Sequence, residues 1–304
     1  MKEREAFELP GFGRLVISGA RPIIAIILAL TVSGGLIWAA GSNPIEAYVA
    51  LLDGSFGSVA AIAATGVRAA PLILSGLAVG VGFKAGLWNI GGEGQIYLGA
   101  AAAAAVGIIP LPMPAWLHLI FAVMAGFIGG ALWMLLPAYL RAYRGVSEVG
   151  TTLMLNYVAI YFISWLLHDP SPMAEKGAFF PMSPLILPSA RLPILIKGTS
   201  LHAGFILAVF LCLVMYFVLQ RTSFGFRTRM VGGSTKAARF AGIRVTKHIF
   251  FVMLLSGGIA GLAGAGEVLG LKLRLFDHFV SNGVYEGLAL AMLANGNPLA
   301  IIFA

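Results

Sequence analysis

The sequence predicts an all-α fold, a polytopic bundle of membrane-spanning helices, on three observations. Hydrophobic residues make up 59% of the chain and charged residues 11%, far below the roughly 25% charged residues of soluble domains. Mean hydropathy is +0.93. The apolar residues also fall in long runs, several near the ~20 residues that a helix needs to cross ~30 Å of hydrocarbon.

Window reading gives about eight such segments. The first, Pro22 to Ala40, is longer than the ~7 to 15-residue apolar core of a cleaved signal peptide and reads as a retained helix. Residues 1–21 precede it as an amino-terminal segment, and 22–304 form the transmembrane domain. Arg68 to Phe83 and Gln95 to Ile109 come next. Both are short and border a glycine-rich stretch, which predicts tilted or broken helices, since irregular backbone at depth needs shielding by protein or a water-filled cavity. Ala115 to Leu140 and Gly150 to Leu167 follow, then Ala203 to Gln220, which holds the only cysteine, Cys212. A lone apolar-run cysteine offers neither a disulfide frame nor a thiolate metal site and reads as packing. Ile249 to Leu271 and Glu286 to Ala304 complete the set. The last run stops at Asn297-Pro-Leu-Ala-Ile-Ile-Phe-Ala304 without a polar tail, which reads as an incomplete end. No internal repeat of fixed period is evident.

Charge gives the orientation. Residues 221–248 hold Arg221, Arg227, Arg229, Lys236, Arg239, Arg244 and Lys247 with no Asp or Glu. Cytoplasmic loops collect Lys and Arg, so this loop is expected inside. Alternation then puts Lys84, Arg141, Arg144 and the amino-terminal Lys2, Arg4, Arg14 and Arg21 on the same side. The long connection 168–202, with mixed charges and several prolines, is expected outside, as are 42–65 and 272–284. The net charge of +8 is spread over short segments between apolar runs, so orientation and membrane lipid explain it better than nucleic acid.

Three motifs carry chemistry. The first is Gly80-Val-Gly-Phe-Lys-Ala-Gly-Leu-Trp-Asn-Ile-Gly-Gly-Glu-Gly-Gln-Ile-Tyr-Leu98, which sets Lys84, Asn89, Glu93 and four glycines between two apolar runs. Ionisable groups at membrane depth mark pathways by default; the plainer reading is a polar turn joining two helices. In the second, Glu148, Thr152 and Asn156 recur every fourth residue and share one helical face. That stripe either hydrogen-bonds a neighbouring helix or lines a path for a polar solute. The third, Gly232-Gly-Ser-Thr-Lys-Ala-Ala-Arg-Phe-Ala-Gly-Ile243, reads as a helix of about two turns. Ser234 caps its start, Gly242 ends it, and Ala237, Ala238 and Ala241 keep one surface slim. So short a helix needs something to dock on; otherwise the loop serves topology and binds anionic headgroups.

Gly126-x-x-x-Gly130 and Ser256-Gly-Gly-Ile-Ala-Gly-Leu-Ala-Gly-Ala-Gly266 read as close helix packing. Glu267 and Glu286 lie near segment ends, as interfacial residues or as part of a polar entrance. The chain lacks a phosphate-cradling Gly-x-x-x-x-Gly-Lys-Ser/Thr loop, so it does not hydrolyse ATP itself. It also lacks His-Glu-x-x-His, a clustered His/Cys ligand set and a Gly-x-Ser-x-Gly elbow, which leaves an enzyme without its parts and implies no cofactor.

Three stretches, Phe83 to Gln95, Ser147 to Tyr157 and Val231 to Ile243, resemble the membrane-spanning permease subunits of ABC importers for nucleosides, relatives of the simple-sugar permeases. The resemblance covers roughly residues 20 to 304, and the first two stretches favour the nucleoside branch. It implies a permease domain in a bacterial cytoplasmic membrane, a second permease subunit, a separate cytoplasmic ABC ATPase and an external solute-binding protein. Asn89, Glu93, Gln95, Thr152 and Asn156 would line the path; Ser234, Lys236, Ala237, Ala238, Arg239 and Gly242 would couple to the ATPase. Two departures stand out. Ser234-Thr235 replaces a frequent Asn-Pro, and relatives continue through further apolar sequence after the final Asn-Pro pair. The competing classes are a simple-sugar permease, an ion-coupled secondary transporter using Glu93, Glu148 or Glu267, and a membrane scaffold that holds a partner without transport.

Overall fold

Glycine, proline and asparagine set where helices begin and stop in the computed structural model, which describes residues 11–279 and 283–304. Among those residues the structure is helical, with two isolated bridges, Met182 to Phe276 and Ile194 to His202, and no strand. The chain divides into two units, Met1–Ile62 and Ala63–Ala304.

In the first unit α1 (Gly11–Ala39) and α2 (Pro44–Phe56) are bent by 118° at Gly41, whose φ of +85° suits glycine. Asn43 builds the second start: its Oδ1 accepts the Ile45 amide at 3.0 Å, and Pro44 takes the first helical position. Ser33 and Tyr48 then pair across the bend at 2.9 Å. Much of the stretch 42–65, expected only to lie outside, is therefore helical, because a good cap precedes a largely apolar run.

α3 (Val59–Lys84) begins at the end of the first unit and runs into the second, which also contains α4 (Gly92–Gly107), α5 (Ala115–Trp133), α6 (Leu135–Arg144), α7 (Glu148–Leu167), α8 (Gly204–Arg221), α9 (Ser223–Gly233), α10 (Thr235–Phe240), α11 (Val245–Gly266), α12 (Gly283–Leu293) and α13 (Pro298–Ile301). The centre of the second unit is the triple contact of α4, α5 and α11, made possible by small residues. A Cβ added at Gly130 would overlap the Gly257 carbonyl, one at Gly261 the Gly126 carbonyl, and one at Gly99 the Gly261 backbone. Here helices approach at backbone distance, as the glycine spacing predicts. Cys212 is fully buried on α8, as packing requires.

Among the described residues five helices are long and apolar enough to cross a membrane, or six if the bent α1–α2 pair forms one span. The expectation of about eight needs revising at two places. α4 has only 16 residues, a rise of about 24 Å that falls short of the hydrocarbon core. The final apolar run is interrupted where Asn295 and Gly296 take φ of +50° and +61°, and Asn297 caps a new start at Pro298. By contrast the Arg68 to Phe83 segment is longer than expected, reaching back to Val59 with Pro71 inside it.

Residues 168–202 are irregular apart from a 3-10 turn at Pro188–Ala190. They are tied down by backbone bonds from Leu192 N to Leu269 O (2.9 Å), Ile186 N to Leu273 O (2.9 Å) and Ser183 N to Leu275 O (2.8 Å). The first carbonyl lies in the π-helix Glu267–Lys272 that continues α11, and the other two follow it, where Leu273 turns to φ +55°. The loop thus satisfies groups that an α-helix would have paired internally.

Candidate functional site

The first two motifs meet as one hydrogen-bonded network. Asn89 Nδ2 donates to Gln95 Oε1 and to Ser256 Oγ, both at 2.8 Å; its Oδ1 accepts from Gln95 Nε2 at 2.9 Å and from the Gly91 amide at 3.1 Å. Ser256 passes the chain on to the Ala78 carbonyl at 2.7 Å. From α7, Asn156 accepts the Gly94 amide at 2.9 Å and donates to the Ile90 carbonyl at 3.1 Å. Glu148 accepts the Trp88 amide at 3.1 Å and pairs with Arg141 at 3.0 Å. Thr152 packs where a Cβ on Gly91 would fall. The α7 stripe therefore shares one face, as its spacing predicts, and pins residues 88–94, which run from the non-helical link after α3 into the first turn of α4. Asn89, Gln95, Thr152 and Asn156 are 1–2% exposed. Glu93 alone of the five sequence-predicted path residues stays partly exposed, within electrostatic reach of Tyr285.

The basic segment is more ordered than a loop. Thr222 caps α9, Ser234 Oγ accepts the Ala237 amide at 3.2 Å to start α10, and Gly242 ends it at φ +79°. At six residues α10 is shorter than expected. Ala238 is fully buried with Val231 and Val245, so it anchors α10 to its own chain. Lys236, Ala237 and Arg239 are exposed, and Phe240, which sequence reasoning passed over, is 94% exposed. Gly232, in the last turn of α9, lies against the backbone of Lys84 and Ala85, so the end of α9 bears on the end of α3 and the start of the link after it.

A cavity of about 460 Å³ opens between α3, α4, the π-helix and α12, lined by Arg68, Pro71, Ile96, Glu267, Lys272, Phe279 and Glu286, among others. Lys272 Nζ lies 3.9 Å from Glu267, donates to the Phe279 carbonyl at 2.7 Å and sits 4.9 Å from the centre of the Phe279 ring. Tyr97 meets that ring edge-on at 4.9 Å. Arg68 and Glu286 are exposed. The cavity combines donors, carboxylate acceptors and an aromatic wall, the mix that holds a polar ring-bearing solute. Beside it, His202 and Glu267 line a small gap. His202 Nδ1 accepts the Gly204 amide at 3.2 Å while its Nε2 is buried without a partner, and burial pushes its pKa below the ordinary histidine value. Sequence reasoning left Glu267 and Glu286 open and missed Arg68, Lys272 and Phe279. The one available signal was a charge at each apolar-run boundary.

A model of the family described as branched-chain amino acid transport system, permease component, matches residues 61–304. The chain is 34% identical over 293 residues to the guanosine ABC transporter permease protein NupP of Bacillus subtilis (strain 168), covering 93% of this chain and 81% of that protein. It is 35% identical over 294 residues to the glucose ABC transporter permease protein TsgB13 of Haloferax volcanii, covering 93% and 76%. It is 30% identical over 293 residues to the nucleoside ABC transporter permease protein NupB of Lactococcus lactis subsp. cremoris (strain MG1363), covering 93% and 80%. No solved structure matches.

Proposed function

Because the chain belongs to the permease-component family of branched-chain amino acid transport systems, we propose that it forms the membrane path of an ATP-driven importer of nucleosides. The observation that carries the solute class is the cavity bounded by Phe279, Arg68, Glu267, Lys272 and Glu286. A nucleoside base stacks on an aromatic wall, and the carboxylates accept the hydroxyls of its ribose. Relatives named for guanosine and nucleosides support the same class.

In this reading residues 1–21 and 221–248 face the cytoplasm and 168–202 face outward, where a solute-binding protein delivers the cargo. A second permease subunit completes the path, and an ABC ATPase docks on α10 through Lys236, Ala237, Arg239 and Phe240, with Ser234 and Gly242 fixing the length of that helix. Ala238 and the Gly232 contact carry the displacement to residues 85–91. Glu93 faces the path, while Asn89, Gln95, Thr152 and Asn156 hold the broken backbone beside it. Nucleotide binding shifts the population between outward- and inward-open states, and the solute leaves because neither state binds it tightly.

The test is uptake by the importer reconstituted with its ATPase and binding protein. Labelled guanosine is expected to accumulate on ATP addition and glucose is not; accumulation of glucose alone would move the chain to the sugar branch. Uphill uptake by the isolated chain without an ATPase would overturn the whole reading.

A further inference from the structure

A second cavity, about 710 Å³, lies between α9 and the start of α11, away from the polar cavity described above. Its lining includes Arg227 from α9, Arg244, Lys247 and His248 from the first turn of α11 and its approach, and the apolar Phe224, Phe251 and Leu255. Residues 244, 247, 248, 251 and 255 follow helical spacing, so one face of α11 passes from cationic to apolar along its length. Lys247 to Leu255 is a rise of about 12 Å, the span from a lipid phosphate into the upper acyl chain. No Asp or Glu lines the cavity, and among the described residues no ion pair engages Arg227, Arg244 or Lys247. His248 Nε2 is taken by Thr228 at 2.9 Å and its ring packs on Phe224, centroids 5.0 Å apart, which stiffens the wall between the two helices.

We propose that this cavity binds the phosphate of an anionic phospholipid, with the cationic rim holding the headgroup and Phe251 and Leu255 holding the start of an acyl chain. Two features favour a lipid over a carboxylate-bearing protein partner. The floor is apolar and runs along α11 into a membrane-spanning helix, and Phe251 is 58% exposed there. The exposed side chains of α10, Lys236, Arg239 and Phe240, are absent from the lining; Ala241 and Gly242, which end that helix, border the cavity, so it adjoins the surface assigned to the ATPase without including its exposed charges. The inference requires only that the chain spans a membrane and stands apart from the identity of the solute.

Binding is measured on the assembled importer in mild detergent by native mass spectrometry, titrating dioleoylphosphatidylglycerol, dioleoylphosphatidylcholine or inorganic phosphate. Retention of phosphatidylglycerol over phosphatidylcholine is expected. Removing all three cations, with Arg227→Gln, Arg244→Gln and Lys247→Gln combined, is expected to weaken phosphatidylglycerol binding about 100-fold. The paired control Arg144→Gln and Arg221→Gln, exposed cations outside both the cavity and α10, is expected to leave it unchanged, and Phe251→Ala is expected to weaken it with the charges intact. Unchanged phosphatidylglycerol binding in the triple variant would overturn the proposal. So would inorganic phosphate displacing the lipid at equal molar concentration, which would make the ligand a free anion. Loss of the ATPase from the triple variant with lipid still bound would make the cavity a subunit contact. Guanosine uptake by the same samples reports separately on the transport reading.

Discussion

Two polar regions lie within the apolar body of this protein, and they use their polarity in opposite ways. Around residues 88–95 the amides of Asn89, Gln95 and Asn156 are almost fully buried, and the structure pairs them with one another, with Ser256 and Met134, or with backbone. At the cavity beside the π-helix, Arg68 and Glu286 are exposed, and Glu267 and Lys272 face each other at the long distance of 3.9 Å. A network whose polar groups are largely paired stabilises an irregular backbone and leaves little bonding capacity for a solute. A loose set of charges around an open volume retains bonding capacity. Membrane depth alone does not separate the two, whereas hydrogen-bond saturation does.

That contrast breaks most visibly at Asn89. Asn89→Ala costs Gln95, Ser256 and the Gly91 amide a partner, at about 1 to 3 kcal/mol for each buried group left unsatisfied. A drop in melting temperature of the purified complex is expected, together with an unchanged KM in whatever fraction stays folded; a raised KM at unchanged stability would put Asn89 on the path. Glu148→Ala removes one charged acceptor from Trp88 and Arg141, a loss of about 2 kcal/mol. Glu148→Gln is expected to restore part of the melting temperature by keeping an acceptor for the Trp88 amide.

The cavity is expected to respond in the other direction. Glu286→Gln should raise the KM for uptake about tenfold, the equivalent of 1.4 kcal/mol, and leave the melting temperature alone. A smaller effect is expected at α10, where Phe240→Ala weakens copurification of the ATPase about fivefold without changing solute binding. Ala238→Trp is a poor probe of the same docking, because overpacking a fully buried position disturbs the chain's own fold first.

The helical character and most segment positions are legible in the apolar runs, since burial in lipid leaves one economical way to pair the backbone. The Ser234 cap, the Gly242 stop and the small-residue contacts of Gly126, Gly130 and Gly261 are legible too, because each rests on local geometry. α2 and α9 are not: α2 is a short apolar run ending in Asp-Gly-Ser-Phe and α9 is rich in glycine and arginine, so neither reads as a span, and the caps Asn43 and Thr222 start each helix. The break at Asn295 and Gly296 hides inside an apolar run for the same reason. The shared face of Glu148, Thr152 and Asn156 follows from spacing, whereas its bonds to Gly94 and Ile90 depend on a partner about sixty residues away in sequence. Least visible is the polar cavity, since Arg68, Glu267, Phe279 and Glu286 come from separate segments and no spacing unites them.

The central claim is that solute contact occurs beside the π-helix. Its most direct test is thiol modification of the assembled importer in a Cys212→Ala background, which removes the only native cysteine, with Leu271→Cys reporting from the cavity and Lys236→Cys from α10. The account predicts that guanosine slows modification at Leu271→Cys and leaves Lys236→Cys unaffected. Equal rates at Leu271→Cys with and without guanosine, in complexes that still transport it, would contradict the assignment.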